Sequence, residues 1–322
     1  MNKIMVALFF LFYQGSLIAG NLYVEQGGTG ANCSEQDPCG VIQEAVEQTV
    51  AGDTILVGAG VYVENVFIQT PNITLRGVSR NHTIIETAGG RDGALGNAGN
   101  PLDAIIEVRA ANVIITKLTL VHPRGHARIR EAAIFAWKGS PGLQVTNCKI
   151  ERKRINRIDE PTIPGSRGVF IFAGPGSLVA HNKFKGNYQD HVHLPSSGVT
   201  VLDNTITGAS RAGISVMDPV SFVGPNVFDS TNNVLIDNQI KDSLDDGIHI
   251  QGDATKIINN SIIGNGGYGI YLCGDGRLGG GCYFPGELAI SEKNLIIDNK
   301  IHNNSQGTIG DDGINNTILH NN

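Results

Sequence analysis

The stretch VLDNTITGASRAGISV, residues 201–216, holds the pattern that decides the fold of this chain. An apolar pair leads to Asn204, an apolar residue and a polar turn follow, and Gly213 begins a strand of the form Gly-apolar-x-apolar. From about residue 141 onward the same phrase recurs around Asn147, Asn182, Asn204, Asn238, Asn260 and Asn299. The matching strands begin at Gly168, Gly213, Gly247 and Gly269. Repetition of this kind is typical of solenoid proteins.

The spacing of the repeat favours a helix of strands. Asn182 and Asn204 are 22 residues apart, as are Asn238 and Asn260, and longer steps carry insertions that form loops. A coil this short cannot bury its own apolar face, whereas stacked coils share one core. A leucine-rich repeat is excluded because its Leu-x-x-Leu-x-Leu phrase is missing. We therefore predict an all-β chain that forms a single-stranded right-handed parallel β-helix.

The recurrent asparagine suits the bend between strands. Asparagine tolerates the left-handed backbone conformation, and its side chain can hydrogen-bond to the next coil as a ladder. Before the first repeats, residues 41–50 (VIQEAVEQTV) have helical spacing, and we expect a short helix that caps the open end of the core.

The segments that follow this helix carry a family resemblance. Residues 52–57 (GDTILV), 60–62 (GVY), 65–68 (NVFI) and 72–77 (NITLRG) resemble the N-terminal coils of the pectate-lyase-like right-handed β-helix superfamily. The resemblance runs from about residue 22 to the C-terminus. It implies the fold but no single activity, because that superfamily includes lyases, hydrolases, esterases, epimerases and non-catalytic surface proteins.

The N-terminus indicates export. Lys3 precedes an apolar run over residues 4–13, and Ala19 and Gly20 are small residues at a plausible cleavage point. We expect a signal peptide over residues 1–20, one β-helix domain over residues 21–322, and a periplasmic or extracellular location. No later stretch is long and apolar enough to cross a bilayer.

The five cysteines agree with export. Cys33 and Cys39 lie close together, and Cys273 and Cys282 flank a glycine-rich loop, so each pair is predicted to close a disulfide. Cys148 lies in a strand-like segment and is expected to be a buried thiol. A zinc site is the alternative, but the chain has no Cys-x-x-Cys pair.

Strand alternation predicts one outward surface. If Ile214 and Val216 point inward, Ser215 and Met217 point outward. Stacking the coils gives outward pairs at Phe135 and Trp137, Phe170 and Phe172, His191 and His193, Ser215 and Met217, His249 and Gln251, and Tyr271 and Cys273. The rings of Trp137, Phe135 and Phe170 suit a platform on which sugars stack. Alternatively, the insertion between Arg152 and Arg167 covers them.

Two polar clusters fall on this surface. In the first, Asp190 can orient His191 or His193, which are candidate bases or metal ligands; solvated surface is the alternative. In the second, Asp245 and Asp246 precede His249 and could bind Ca²⁺ or act as an acid/base pair. The aspartates resemble the pair of polygalacturonase-type hydrolases, although Tyr268 stands where that family has histidine.

The charge is unevenly distributed. The whole chain has a formal charge of −6, yet residues 120–215 carry thirteen Lys or Arg against six Asp or Glu. Such asymmetry attracts an anionic polymer. We expect an acidic polysaccharide as partner and a monomeric chain, with no nucleic acid, because the chain is exported. Arg167, Lys183 and Lys185 join the rings as candidate substrate-binding residues.

These features predict a polysaccharide lyase or C5-epimerase that acts on a uronate polymer. Both reactions need a base and a group that neutralises the developing enediolate, and the lyase needs an acid. The candidate bases are His191 and His193. Arg211, Arg167 or a Ca²⁺ ion held by Asp245 and Asp246 would neutralise the charge. The remaining candidate catalytic residues are Tyr188 and Tyr271 as acids, Asp190 and His249. The alternatives are a non-catalytic surface or adhesion protein and a glycoside hydrolase that uses the paired aspartates.

Overall fold

The predicted β-helix is confirmed. The computed structural model describes residues 19–88, 103–122, 131–153, 166–172, 174–217, 230–274 and 290–322. These residues form 29 strands, numbered in chain order, and one helix. The strands pair in parallel into three sheets, and successive coils contribute one strand to each sheet.

The three sheets run along the whole stack. Sheet 1 consists of β1 (Asn21–Val24), β2 (Thr54–Val57), β5 (Thr74–Gly77), β8 (Ile114–Thr116), β11 (Gln144–Thr146), β14 (Leu178–Ala180), β17 (Thr200–Leu202), β20 (Val234–Ile236), β23 (Lys256–Ile258), β26 (Leu295–Ile297) and β29 (Thr317–Leu319). Sheet 2 consists of β3 (Gly60–Val63), β6 (Thr83–Glu86), β9 (Thr119–His122), β12 (Lys149–Arg152), β15 (Lys183–Gly186), β18 (Thr205–Thr207), β21 (Gln239–Lys241), β24 (Ser261–Ile263) and β27 (Lys300–His302). Sheet 3 consists of β4 (Val66–Ile68), β7 (Asp103–Val108), β10 (Glu131–Ala136), β13 (Arg167–Ile171), β16 (Asp190–Leu194), β19 (Ile214–Val216), β22 (Ile248–Ile250), β25 (Tyr268–Leu272) and β28 (Gly307–Asp311).

One apolar core runs through the stack. The middle residues of the sheet 1 strands lie directly above one another and are fully buried from β2 to β26. This column is Ile55, Leu75, Ile115, Val145, Val179, Val201, Leu235, Ile257 and Ile296. Burial of each such side chain stabilises the fold by about 1.5–3 kcal/mol.

The N-terminal helix α1 spans Ile42–Glu47 and is shorter than the predicted segment of residues 41–50. Its Ile42, Ala45 and Val46 side chains are buried and join the same core cluster. The spacing of three and four residues places them on one face of the helix.

An asparagine ladder connects the coils, as predicted. The Asn204 main-chain N–H and side-chain Nδ2 both donate to Asn238 Oδ1, at 3.0 and 2.9 Å. Asn238 repeats both bonds to Asn260 Oδ1, at 2.9 and 3.0 Å, and Asn260 repeats them to Asn299. Each asparagine amide also donates to a strand carbonyl, as Asn238 does to Val201 O at 2.9 Å. The buried amides are therefore hydrogen-bonded.

The left-handed residue is not the ladder asparagine but the residue before it. Asp203, Asp237 and Asn259 have φ values of +49°, +58° and +53°. The chain bends at this position, and the next residue can then direct its amide inward. In the first repeat the left-handed residue is Asn147, and Cys148 holds the ladder position, where its N–H donates to Asn182 Oδ1 at 2.9 Å.

The cysteines behave largely as predicted. Cys33 and Cys39 form a disulfide, and Cys148 is a buried free thiol whose pKa burial raises to about 12. Cys273 is disulfide-bonded, and Cys282, its predicted partner, lies outside the described residues.

Residues 1–18 of the predicted signal peptide also lie outside the described residues. In the part of the chain that is described, no helix has the length and apolar character needed to cross a membrane.

Removal of one ladder side chain is expected to destabilise the stack. In Asn238→Ala, buried N–H groups of Asn204 lose their acceptor, so the free energy of unfolding should fall by about 2 kcal/mol or more. The control is Asp237→Asn, which changes the neighbouring left-handed residue to another that tolerates this conformation. Urea unfolding measures both. Equal stability of Asn238→Ala and the control would contradict a stabilising ladder.

Candidate functional site

The outer face of sheet 3 carries a continuous column of polar and aromatic side chains, which we call the central column. Pairing of successive strands aligns Phe67, Glu107, Phe135, Phe170, His193, Ser215, His249 and Tyr271. This is the predicted outward surface, extended by two residues towards the N-terminus. Adjacent positions are separated by about 4.8 Å, the spacing between neighbouring strands.

The predicted position of His191 is wrong by two residues. Val192 pairs with Ile214 and His193 with Ser215, so His193 enters the column and His191 lies level with Gly213. His191 is fully buried at the corner between sheets 2 and 3, where its Nε2 lies 3.1 Å from Thr207 O. The two histidines therefore do not share a face. The coil lacks the usual glycine because His191 occupies the glycine position.

Tyr188 is also absent from the outer face. It is fully buried within the apolar core cluster, and its hydroxyl lies 2.7 Å from His122 Nδ1. The ring of His191 packs beside it, with the ring centroids 5.7 Å apart. Tyr188 is therefore a core residue and is not positioned to act as an acid on the outer face.

The predicted basic residues do not converge on one surface. Lys183 and Lys185 lie on β15 of sheet 2, where they are exposed, and not on sheet 3. Arg167 and Arg211 are buried beside Asp190. Five of the thirteen Lys and Arg residues, Arg124, Arg128, Arg130, Arg154 and Arg157, lie outside the described residues.

Asp190 is held between two arginines. Arg211 donates from Nε to Oδ1 at 2.8 Å and from Nη2 to Oδ2 at 2.6 Å, which is a bidentate pair. Arg167 Nε lies 3.0 Å from Oδ2. The carboxylate is completely buried. Burial alone would raise the pKa of Asp190, but Arg167 and Arg211 outweigh it and hold that pKa well below its usual value.

His193 completes this cluster. Its Nδ1 lies 3.3 Å from Asp190 Oδ2, and its ring packs edge-on against Phe170. Burial, together with the positive charge of Arg167, lowers the pKa of His193 to about 4, against the opposing effect of Asp190. The imidazole is therefore neutral at pH 7. The His193 side chain is only 5% exposed, and its Nε2 has no hydrogen-bond partner among the described residues.

A second histidine–aspartate pair lies two coils further on. His249 Nδ1 lies 2.9 Å from Asp246 Oδ2, and Asp246 Oδ1 accepts the Tyr268 N–H at 2.8 Å. The spacing of three residues is the same as between Asp190 and His193. The environment of Nε2 differs, because His249 Nε2 lies 3.2 Å from the Sγ atom of the disulfide-bonded Cys273.

The predicted Ca²⁺ site at Asp245 and Asp246 stays a prediction. Ca²⁺ takes six to eight oxygen ligands. Asp246 Oδ1 accepts the Tyr268 N–H and Oδ2 faces His249 Nδ1, which leaves Asp245 as the neighbouring carboxylate. Among the described residues, no three His, Cys, Asp or Glu side chains are arranged to hold a metal ion. Asp245 is half-buried, and burial together with Asp246 raises its pKa.

Tyr271 ends the column as predicted. Its ring packs beside His249 at 5.5 Å and stacks on Tyr268 at 5.5 Å. Its hydroxyl donates to Asp312 Oδ2 at 2.8 Å. Tyr271 is three coil steps from His193, which corresponds to about 14 Å.

The predicted aromatic platform forms at the other end. Phe135 packs against Trp137 at 4.8 Å and against Phe170 at 4.7 Å between ring centroids. Two charged residues beside the platform, Glu107 and Arg109, were not predicted from the sequence. Glu107 accepts hydrogen bonds from Trp137 Nε1 at 2.5 Å and from Arg109 Nε at 2.7 Å. The sequence feature that could have indicated them is the segment Glu107-Val108-Arg109, in which two charged residues flank one apolar residue.

The degree of exposure differs along the face. Trp137 and Phe170 are half-buried, whereas Ser215 and His249 are buried. The insertion proposed as a cover falls mostly in residues 154–165, outside the described residues, so that cover stays a prediction.

Comparisons with known proteins agree with this architecture. The family model described as "Right handed beta helix region" matches residues 98–278, more than half of the chain. No curated protein sequence matches this chain. Among solved structures, a pectin methylesterase in complex with a hexasaccharide is 12% identical, with 90% of this chain and 93% of that chain covered and a TM-score of 0.51. The Dettilon tailspike protein is 12% identical, with 81% and 46% covered and a TM-score of 0.52.

A third similar structure is the A-module of the Azotobacter vinelandii mannuronan C-5 epimerase AlgE4. It is 16% identical, with 88% of this chain and 78% of that chain covered and a TM-score of 0.49. At such identities, the similarities to the pectin methylesterase and the tailspike protein show the fold alone.

The buried His193 should make the protein less stable in mild acid. Its pKa is about 4 in the folded chain and near 6.5 when unfolded, so between these values only the unfolded chain takes up the proton. Stability is therefore expected to fall as the pH drops from about 6.5 to 4, by a few kcal/mol. Urea unfolding of the wild type and His193→Gln across this range isolates the effect. A stability difference between the two that does not change with pH would contradict it.

Proposed function

Because the chain belongs to the right-handed β-helix family, a fold with many activities, we propose its function from the site: a carbohydrate-active enzyme that removes the proton next to the carboxylate of a uronate residue in an acidic polysaccharide. One observation carries this proposal. His193 is a neutral imidazole on the outer face of sheet 3, with Asp190 behind Nδ1 and two arginines alongside, and its Nε2 has no hydrogen-bond partner among the described residues.

The arrangement of His193 suits a general base. A carboxylate behind Nδ1 selects the tautomer in which Nε2 carries the lone pair. Asp190 stays ionised and cannot compete as base, since Arg167 and Arg211 hold its pKa low. A bound substrate carboxylate would add negative charge near His193 and raise its pKa from about 4 towards the working pH.

Arg167 and Arg211 are the proposed neutralising groups. They bring two positive charges to the single negative charge of Asp190. When the C5–H bond breaks, its electron pair moves towards the carboxylate of the sugar, and buried positive charge close by stabilises the enediolate.

We favour β-elimination among the two predicted reactions. The proton moves from C5 to His193 Nε2, the C4=C5 bond forms and the C4–O4 bond breaks. The candidate acids lie too far away, because Tyr188 is in the core and Tyr271 is about 14 Å along the column. The imidazolium of His193 can instead give the same proton to O4. The products are a 4,5-unsaturated uronate at the end of one fragment and a second fragment that keeps O4 as the hydroxyl of its new reducing end.

A glycoside hydrolase remains the second candidate, on the evidence of Asp245. Its raised pKa, beside the carboxylate of Asp246, is the property expected of a general acid. New reducing ends without an unsaturated product would favour it.

The central experiment is turnover of pectate, alginate and a glycosaminoglycan, followed by ultraviolet absorbance of the unsaturated product. His193→Ala should lower the rate by about 10²-fold or more, because the base is lost. The matched control is His181→Ala, which removes the exposed histidine of another Asp–His pair, with Asp203 at 2.9 Å. Absence of both an unsaturated product and an epimerised product by NMR would refute the proposal. Binding without any turnover would favour an adhesion protein.

Metal removal tests the role assigned to the arginines. Since they supply the positive charge, dialysis against EDTA is expected to leave the elimination rate unchanged. Loss of activity that is restored by Ca²⁺ and abolished in Asp245→Asn would show instead that the predicted calcium site neutralises the enediolate.

A further inference from the structure

The inference concerns Arg109, at the N-terminal end of the same outer face. Its guanidinium lies over two rings, 5.1 Å from the Phe67 centroid and 4.9 Å from that of Trp137. Both rings are half-buried. Stacked and charged contacts of this kind restrict a long side chain to one orientation.

Glu107 holds one edge of the same guanidinium. Its Oε1 accepts from Arg109 Nε at 2.7 Å and lies 2.7 Å from Nη2, while Trp137 Nε1 donates to the same oxygen. The Glu107 side chain is only 6% exposed. Arg109 therefore has its position set by a buried carboxylate, and that carboxylate is already neutralised.

The opposite edge of the guanidinium is available. The Arg109 side chain is 41% exposed, and its Nη1 has no partner among the residues that the structure describes. Arginine presents its donors as a planar fork that matches a carboxylate in a bidentate manner. An oriented, half-exposed fork beside aromatic rings is suited to a sugar that carries an acid group.

We infer that Arg109, with Trp137 and Phe67, forms a binding subsite for the carboxylate of a uronate residue. Glu107 is three coil steps from His193 in the central column, which places the subsite about 14 Å from the proposed base. It would therefore bind a sugar a few units away from the one that reacts. The uronate class rests on the proposed function, but occupancy of the subsite does not depend on turnover.

Trp137 makes the test direct, because it is the single tryptophan of the chain. Its fluorescence is titrated with short oligomers of galacturonate, mannuronate and glucuronate, and with carboxyl-reduced versions of the same oligomers. His193→Ala serves as the background, so that no substrate is consumed. We expect an acidic oligomer to change the fluorescence and to bind more tightly than its neutral counterpart.

The deciding variant is Arg109→Gln in that background. It should weaken binding of the acidic oligomer by about tenfold or more and leave the neutral oligomer unaffected. Arg109→Lys, which keeps the charge without the fork, should retain part of the affinity. The matched control is Arg76→Gln, at an exposed arginine on sheet 1, and it should bind as the background does.

Three outcomes would overturn the subsite. In the first, acidic oligomers bind Arg109→Gln as tightly as they bind the background; in the second, no oligomer changes the fluorescence of Trp137. In the third, Arg109→Gln weakens the binding of acidic and neutral oligomers equally, which would mean that Arg109 only positions the Trp137 ring. Equal, Arg109-dependent binding of a sulfated neutral oligomer would refute selectivity for a carboxylate. If Arg109-dependent binding is found while wild-type protein shows no turnover, the proposed reaction fails and the subsite stands.

Discussion

Register between the coils is the constraint on which the rest of this structure depends. In a strand, a slip of one residue moves every side chain to the other face. The asparagine ladder resists such a slip, because each amide bonds both to the next asparagine and to a strand carbonyl. The buried aliphatic column of sheet 1 also resists a slip in register, because a slip would move its side chains out of the core. Both devices lie away from the outer face of sheet 3, so the residues there can vary without loss of the fold.

The cluster around Asp190 shows how that freedom is used. A buried carboxylate is costly unless it is paired and hydrogen-bonded. Here Arg211 provides a bidentate pair, Arg167 adds a further contact, and the Ala212 N–H lies 3.3 Å from Oδ1. These contacts come from different coils. The orientation of Asp190 therefore depends on correct stacking, and so does the histidine that it faces.

Much of this could be read from the sequence, and the errors have physical causes. The repeat around Asn204 predicted the fold, the ladder and most of the central column. The predicted register of His191 was wrong because the coils were aligned by their glycines. In this coil a histidine occupies the glycine position. The predicted outward position of Tyr188 was wrong because residues at the corners between sheets turn inward. Strand alternation describes only residues within a strand. Arg109 was missed since it follows β7, which precedes the first recognised repeat, and its proposed role depends on ring contacts across coils.

The two histidine–aspartate pairs show why spacing alone does not identify a base. Asp190 and His193 have the same separation in sequence as Asp246 and His249, and in both pairs a carboxylate faces Nδ1. They differ at the other ring nitrogen, where proton transfer would occur. His249 Nε2 faces the sulfur of Cys273, whereas His193 Nε2 has no hydrogen-bond partner among the described residues and its ring lies beside two arginines. In the proposed reaction, His193 would take a proton from a bound sugar, and the charge left on that sugar would lie close to guanidinium groups. The difference arises from neighbouring coils rather than from either motif, which is why the function of this face is decided by the stack as a whole.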